Sequence, residues 1–93
     1  MIRRHRDIPT ELLRTFVTIN DLGGFTKAAD ALHLTQGAIS AQMRRMQQLV
    51  GGAVFEKSPS GSVLTGRGKF LDTYARRILA LSDQIMAYSG AAA

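Results

Sequence analysis

At 93 residues and 10.1 kDa the chain has room for one small domain with a modest core, and none for a second ligand-binding lobe. Twelve Lys and Arg against seven Asp and Glu give a formal charge of +5 and a sequence pI near 10.5, the profile of a partner for polyanions, with nucleic acid foremost. The lack of cysteine excludes a disulfide framework and thiolate zinc sites. His5 and His33 are too few and too far apart for a metal cage, so neither a metal nor another cofactor is expected. The first residues lack the apolar segment of a signal peptide, and no window reaches the roughly 18 apolar residues of a membrane span. A soluble, cytoplasmic protein with no membrane partner is expected.

Residues 1–9 form a basic arm carrying Arg3, Arg4 and Arg6 and closed by Pro9. From Thr10, a plausible N-cap, the run "TELLRTFVTIND" places apolar residues at helical intervals, and Gly23-Gly24 ends the pattern. Thr26 then caps a short helix rich in alanine, which lets a neighbour approach closely. Its terminal His33 is expected to pack half-buried or to cap. Thr35 caps a third helix that runs to about Val50 and stops at Gly51-Gly52. Two helices joined by so few residues predict a helix-turn-helix.

Two β-compatible runs, Ala53–Lys57 and Ser62–Thr65, flank "SPSG", whose proline and glycine suit a hairpin tip. Thr65 caps a last helix over residues 66–89, whose early Gly66 and Gly68 weaken its first turn, and residues 90–93 form a tail. The predicted fold is therefore mainly α: a winged helix-turn-helix over residues 10–65 with a small β-hairpin wing, followed by a long C-terminal linker helix.

The third helix points to function. Ile39, Met43, Met46 and Val50 form one stripe at 100° per residue, while Gly37, Ser40, Ala41, Arg44, Arg45 and Gln48 gather opposite. No acidic residue occurs between Asp30 and Glu56, which predicts a surface kept clear of negative charge. A major groove about 12 Å wide admits a helix whose floor-facing side chains are small or specifically paired. Gly37, Ala38, Ser40 and Ala41 fit that condition. Gln36 can offer both amide groups to adenine, Ser40 can pair with several bases, and an Ala38 or Ala41 methyl can touch thymine. Arg44 and Arg45, farther along, suit phosphates.

Helix amino ends attract phosphate, so Thr26, Lys27 and Thr35 are further candidates for the DNA backbone. In the wing, Lys57, Ser58, Ser60 and Ser62 would straddle phosphates, contributing position more than readout.

In the last helix Leu71, Tyr74, Ile78, Leu81, Ile85 and Tyr88 are spaced 3, 4, 3, 4 and 3, a heptad seam. Leu71 and Tyr74 are expected to lie on the domain's own core. Ile78, Leu81, Ile85 and Tyr88 exceed what so small a domain can cover and predict dimerisation. The dispersed carboxylates, with no Gly-rich strand–helix loop and no nucleophile–histidine motif, argue against an enzyme.

Taken in order, Leu13-Arg14-Thr15-Phe16, Gly24-Phe25-Thr26-Lys27-Ala28-Ala29, Leu32-His33-Leu34-Thr35-Gln36, Ala38-Ile39-Ser40-Ala41-Gln42, Gly51, Phe55, Leu64-Thr65 and Gly68 resemble the amino-terminal DNA-binding domain of LysR-type transcriptional regulators of bacteria. The resemblance covers roughly residues 10–90. It implies a winged helix-turn-helix whose linker helix pairs, usually antiparallel, with that of a second chain, so that two recognition helices meet an interrupted palindrome in double-stranded DNA. It also implies base-facing positions for Gln36, Gly37, Ala38, Ser40 and Ala41, and backbone-contacting ones for Lys27, Thr35, Gln42, Arg44, Lys57 and Thr65. The sequence departs from the family where Gly37 replaces a usual proline or serine, Ala41 a frequent arginine, Met46-Gln47 a usual Leu-Glu, and Lys57 a usual arginine. Full-length relatives carry a larger effector-binding domain after the linker, so no small-molecule effector is expected on this chain. The competing expectation is a protein-interaction module that forms mixed dimers with a full-length regulator through the same last helix.

Overall fold

The computed structural model describes residues 6–90. Four helices and one hairpin follow in the order α1 (Thr10–Leu22), α2 (Phe25–Leu32), α3 (Gln36–Val50), β1 (Phe55–Ser58), β2 (Gly61–Leu64) and α4 (Gly66–Tyr88). The arrangement is the mainly α, winged helix-turn-helix fold expected from the sequence.

α1 is the centre of the domain because Leu12, Leu13, Phe16 and Ile19 recur at helical spacing and are all buried. Around them close Ala28 and Ala29 of α2, Ile39, Met43 and Met46 of α3, Val54, and Leu71, Ala75 and Leu79 of α4. Phe55 brings the wing to this core, with its ring 5.2 Å from Phe16 and 5.9 Å from Phe25. Such rings favour tilted and edge-on contacts, and both are seen here.

Helix ends follow local chemistry in some places and not in others. Thr35 and Thr65 cap as expected: each side-chain oxygen accepts a hydrogen bond at 3.0 Å, from the amides of Ala38 and Gly68 respectively. The first two helices differ. α1 starts from Pro9, whose carbonyl accepts from Leu12 and Leu13, so Thr10 lies inside the helix. α2 starts from Gly24 without a side-chain cap, so Thr26 is its second residue rather than its cap. Phe25 precedes Thr26 and packs against the core, and drawing that ring inward starts the helix one residue early.

His33 ends α2 in the left-handed conformation, with φ 56°. Its amide donates to the Asp30 carbonyl, and the Leu34 amide reaches back to Ala29 at 2.9 Å, a Schellman closure. It therefore caps, but it is exposed rather than half-buried. Only His33, Leu34 and Thr35 separate the two helices.

In the wing, Phe55 pairs with Leu64 and Ser58 with Gly61, leaving Pro59-Ser60 as the tip. The strands are displaced by a residue or two from the expected runs, because Ala53 and Val54 serve the junction with α3 instead of the hairpin. The end of the arm is held to the domain: Ile8 packs against the core and Arg6 donates to the Gln48 carbonyl at 3.3 Å. Arg3, Arg4 and His5 lie outside the described residues.

α4 packs on the body of the domain through Gly68, Leu71, Ala75 and Leu79. Ion pairs flank this strip: Arg76 reaches Asp21 at 2.6 Å and Asp72 at 3.1 Å, and Arg14 reaches Asp83 at 3.2 Å. The hydrogen bonds to Asp21 and then Asp72 raise the Arg76 pKa above its ordinary value. Tyr74, expected on the core, is 46% exposed. Ala75 takes that place, because its small side chain lets α4 approach α1 more closely than a phenol would.

Gly68 is set by a tighter contact than the weakened first turn suggests. A methyl group there would collide with the backbone carbonyl of Val54, which cannot move aside as a side-chain tip would. Gly68→Ala should therefore lower unfolding stability by about 2–3 kcal/mol despite its better helix propensity, as measured by denaturant titration.

Candidate nucleic-acid interface

The expected recognition surface is α3, and which face it turns outward follows from what it buries. Ile39, Met43 and Met46 face the core, leaving Gln36, Gly37, Ala41, Arg44, Arg45 and Gln48 exposed and Ala38 and Ser40 half-buried. Gly37 and Ala41 thus stand on the outer side, as the helical wheel predicts, while Ala38 and Ser40 are only partly accessible. A Cβ on Gly37 would meet only the Thr35 hydroxyl, at 3.9 Å, so packing within the chain does not account for the glycine.

Some cations are engaged within the domain and others are not. Arg14 and Arg76 are paired with carboxylates, and Arg67 donates to the Val50 carbonyl at 2.7 Å, closing the end of α3. Lys27, Arg44, Arg45 and Lys57 are exposed, and among the described residues they form no ion pair. Between α3 and the wing runs a groove of about 410 Å³, lined by Ser40, Arg44, Lys57 and Ser62 over a floor that includes Met43 and Phe55. It brings two of the free cations and two hydroxyls into one concavity, which suits a sugar–phosphate strand.

This surface is not as clear of acid as the gap between Asp30 and Glu56 suggests. Glu56 also lines the groove, and Glu11 of α1 stands beside Ala41 and Arg45 on the other flank of α3. Chain distance concealed Glu11.

Several hydroxyl and amide candidates are already engaged within the domain. Gln42 is half-buried: its Oε1 accepts from the Thr15 hydroxyl at 2.5 Å, and its Nε2 donates to Glu11 Oε1 at 3.3 Å. The Thr65 hydroxyl donates to the Ala53 carbonyl at 2.7 Å as well as capping α4. Ser58 Oγ donates to the Gly61 carbonyl at 3.0 Å and lies 3.0 Å from Ser60 Oγ, shaping the wing tip. Thr26 is exposed near the start of α2. Sequence reasoning passed over Gln47, whose Oε1 accepts from the Val54 amide at 3.0 Å and fixes the exit from α3. Its position on the core side of a polar helix was the only signal.

α4 turns a second surface outward. Ile78 is 43% exposed, Leu81 60%, Ile85 69% and Tyr88 97%. At its base an apolar groove of about 440 Å³ opens beside Ile8, Val50, Phe70, Tyr74 and Ile78. No helix among the described residues is long and apolar enough to cross a membrane.

Comparison with known proteins gives a consistent result. Residues 10–69 match the family described as "Bacterial regulatory helix-turn-helix protein, lysR family". The HTH-type transcriptional regulator PecT of Dickeya dadantii (strain 3937) is 41% identical over 81 residues, covering 87% of this chain and 26% of PecT. DgdR of Burkholderia cepacia, also an HTH-type transcriptional regulator, is 38% identical over 88% of this chain and 28% of its own length. The chain thus spans about a quarter of these relatives. Among solved structures, the complex of the CbnR DNA-binding domain with DNA superposes with a TM-score of 0.80 at 32% identity, covering 90% of this chain and 97% of that one. The BenM DNA-binding domain on catB site 1 DNA gives 0.82 at 29% identity, covering 88% and 92%.

The open space at Gly37 has a measurable consequence. Gly37→Ala should keep the fold and raise thermal stability by about 0.5 kcal/mol, since the added methyl meets no obstacle and the chain loses unfolded-state freedom.

Proposed function

Because the chain belongs to the lysR family of bacterial regulatory helix-turn-helix proteins, we propose that it binds double-stranded DNA sequence-selectively as the DNA-binding domain of a transcriptional regulator in the cytoplasm, with α3 in the major groove. The observation that carries this reading is the outer face of α3: small side chains toward its start, two arginines in its middle that form no ion pair among the described residues, and a groove beside it holding Arg44 and Lys57. Solved relatives of the same fold are DNA complexes, which supports it.

The division of labour follows from position. Gln36, Gly37, Ala38, Ser40 and Ala41 meet base edges, the amide and hydroxyl by hydrogen bonds and the methyls by apolar contact with thymine. Arg44, Arg45, Lys27 and Lys57 neutralise phosphates on either side, with Thr26, Thr35 and the wing serines along the strand. Gln42 and Thr65, whose polar groups are engaged internally, act through the shape of the domain.

Two such domains would stand side by side through α4. Ile78, Leu81, Ile85 and Tyr88 offer an apolar seam on a helix roughly 34 Å long, and an antiparallel pairing would bury it and lay two α3 helices on an interrupted palindrome. The groove at the base of α4 continues the seam and enlarges the buried area. The small-molecule effector of a longer regulator would act elsewhere.

Duplex affinity should fall steeply and log-linearly with salt. Arg44→Ala should flatten that slope by about one, whereas Gln36→Ala should keep the slope and erode preference among sequences. Salt-independent binding, or none to any duplex, would refute the reading. Leu81→Glu and Ile85→Glu should each convert a sedimenting dimer to monomer and weaken binding to a two-half-site duplex. A wild-type chain that sediments as a monomer at high concentration would remove the dimer.

A further inference from the structure

We infer that Thr15, Gln42 and Glu11 form a rotational lock on the recognition helix, with Gln42 a positioning residue for sequence discrimination. The inference rests on the DNA-binding reading above and adds to it a device for holding α3 in one orientation.

The polar chain has only one arrangement. A carboxylate only accepts, so the Gln42 amide group facing Glu11 must be the NH2 donor, and its oxygen must face Thr15. Thr15 is 2% exposed, and its hydroxyl finds its partner in that oxygen at 2.5 Å. Leaving such a buried hydroxyl unpaired is costly, so α3 cannot turn away from α1 without breaking the bond.

The apolar contacts of α3 do not supply this precision. Two of its three buried side chains are methionines, Met43 and Met46, which are flexible and fill space without specifying direction. At the far end, the bonds from Val54 to Gln47 and from Arg67 to Val50 fix where α3 stops. Toward its start, the Thr15–Gln42–Glu11 chain is the directional tie to α1.

Magnitudes show why this matters. Turning a helix of roughly 5–6 Å radius by about 10° moves a groove-facing side-chain tip by about 1 Å. Hydrogen bonds to base edges tolerate only a few tenths of an ångström around 2.9 Å. Phosphate contacts from long arginines absorb such a shift, so a loosened α3 loses discrimination before it loses general affinity.

The test begins by selecting a preferred duplex from a randomised library with the wild-type chain. Affinity for that duplex is then compared with affinity for the unselected library at fixed salt. Thr15→Val replaces a buried hydroxyl by a methyl of the same shape and cannot remove a DNA contact. It should lower the affinity ratio about tenfold, the scale of one degraded base contact, with library affinity unchanged. Thr15→Ser, which keeps the hydroxyl, should keep the ratio. The double variant Thr15→Val/Gln42→Met removes both polar partners, so its melting temperature should return toward wild type while its discrimination stays low. A folded Thr15→Val or double variant with the wild-type ratio would overturn the lock, and a loss in the double variant that Thr15→Val does not share would assign Gln42 a direct contact instead. Failure of the wild-type chain to select any duplex would count against the DNA-binding reading. The lock is then decided without DNA by residual dipolar couplings, which should show a changed or broadened orientation of α3 relative to α1 in the double variant; an unchanged orientation would overturn it.

Discussion

α3, the wing and α4 meet at the backbone of one residue, Val54. Its amide is held by the Gln47 side chain at the end of α3, and its carbonyl accepts from Thr65 at 3.0 Å where β2 gives way to α4. Gly68 then presses α4 against that same carbonyl. A buried peptide group must have both its donor and its acceptor satisfied, and here the partners come from two different elements. The consequence is a rigid corner: the outer face of α3 cannot shift without disturbing the wing and the helix that carries the apolar seam.

Charge alone pointed to a polyanionic partner but could not say which cations would meet it. In the fold, Arg14, Arg67 and Arg76 hold α4 and the end of α3, so part of the positive excess is structural. Lys27, Arg44, Arg45 and Lys57 form no ion pair among the described residues, and Arg44 and Lys57 line the groove beside α3. Surface ion pairs such as those of Arg14 and Arg76 contribute little stability individually, and their value here lies in orientation across the α1–α4 contact. Glu11 and Glu56 temper the cationic face, Glu11 through its bond with Gln42.

What was legible in the sequence was whatever depends on near neighbours. The Thr35 and Thr65 caps, the glycine stops at Gly23 and Gly51, the hairpin tip and the 3.6-residue stripe of α3 follow from local geometry, and the structure contains them. Contacts between distant segments were not legible. Thr26 looked like a cap because the inward pull on Phe25 is tertiary, and Tyr74 looked like core because a heptad does not distinguish a seam facing the body from one facing away. Gly68 appeared merely a weak helix former until the Val54 carbonyl lay against it. The outer face of α3 was legible, but the engagement of Gln42 by α1 was not, since its partners lie 27 and 31 residues away.

The last buried side chain of α4 is that of Leu79, yet the helix continues for nine residues to Tyr88. A short helical stretch has little intrinsic persistence in water, so this end draws its order from the rest of α4, from the exposed Arg14–Asp83 pair and from whatever covers it. Under the pairing proposed above, straightening of that end and capture of a second chain become a single thermodynamic event. Part of the association energy is then consumed in ordering, which favours a partnership that dissolves on dilution over a permanent one.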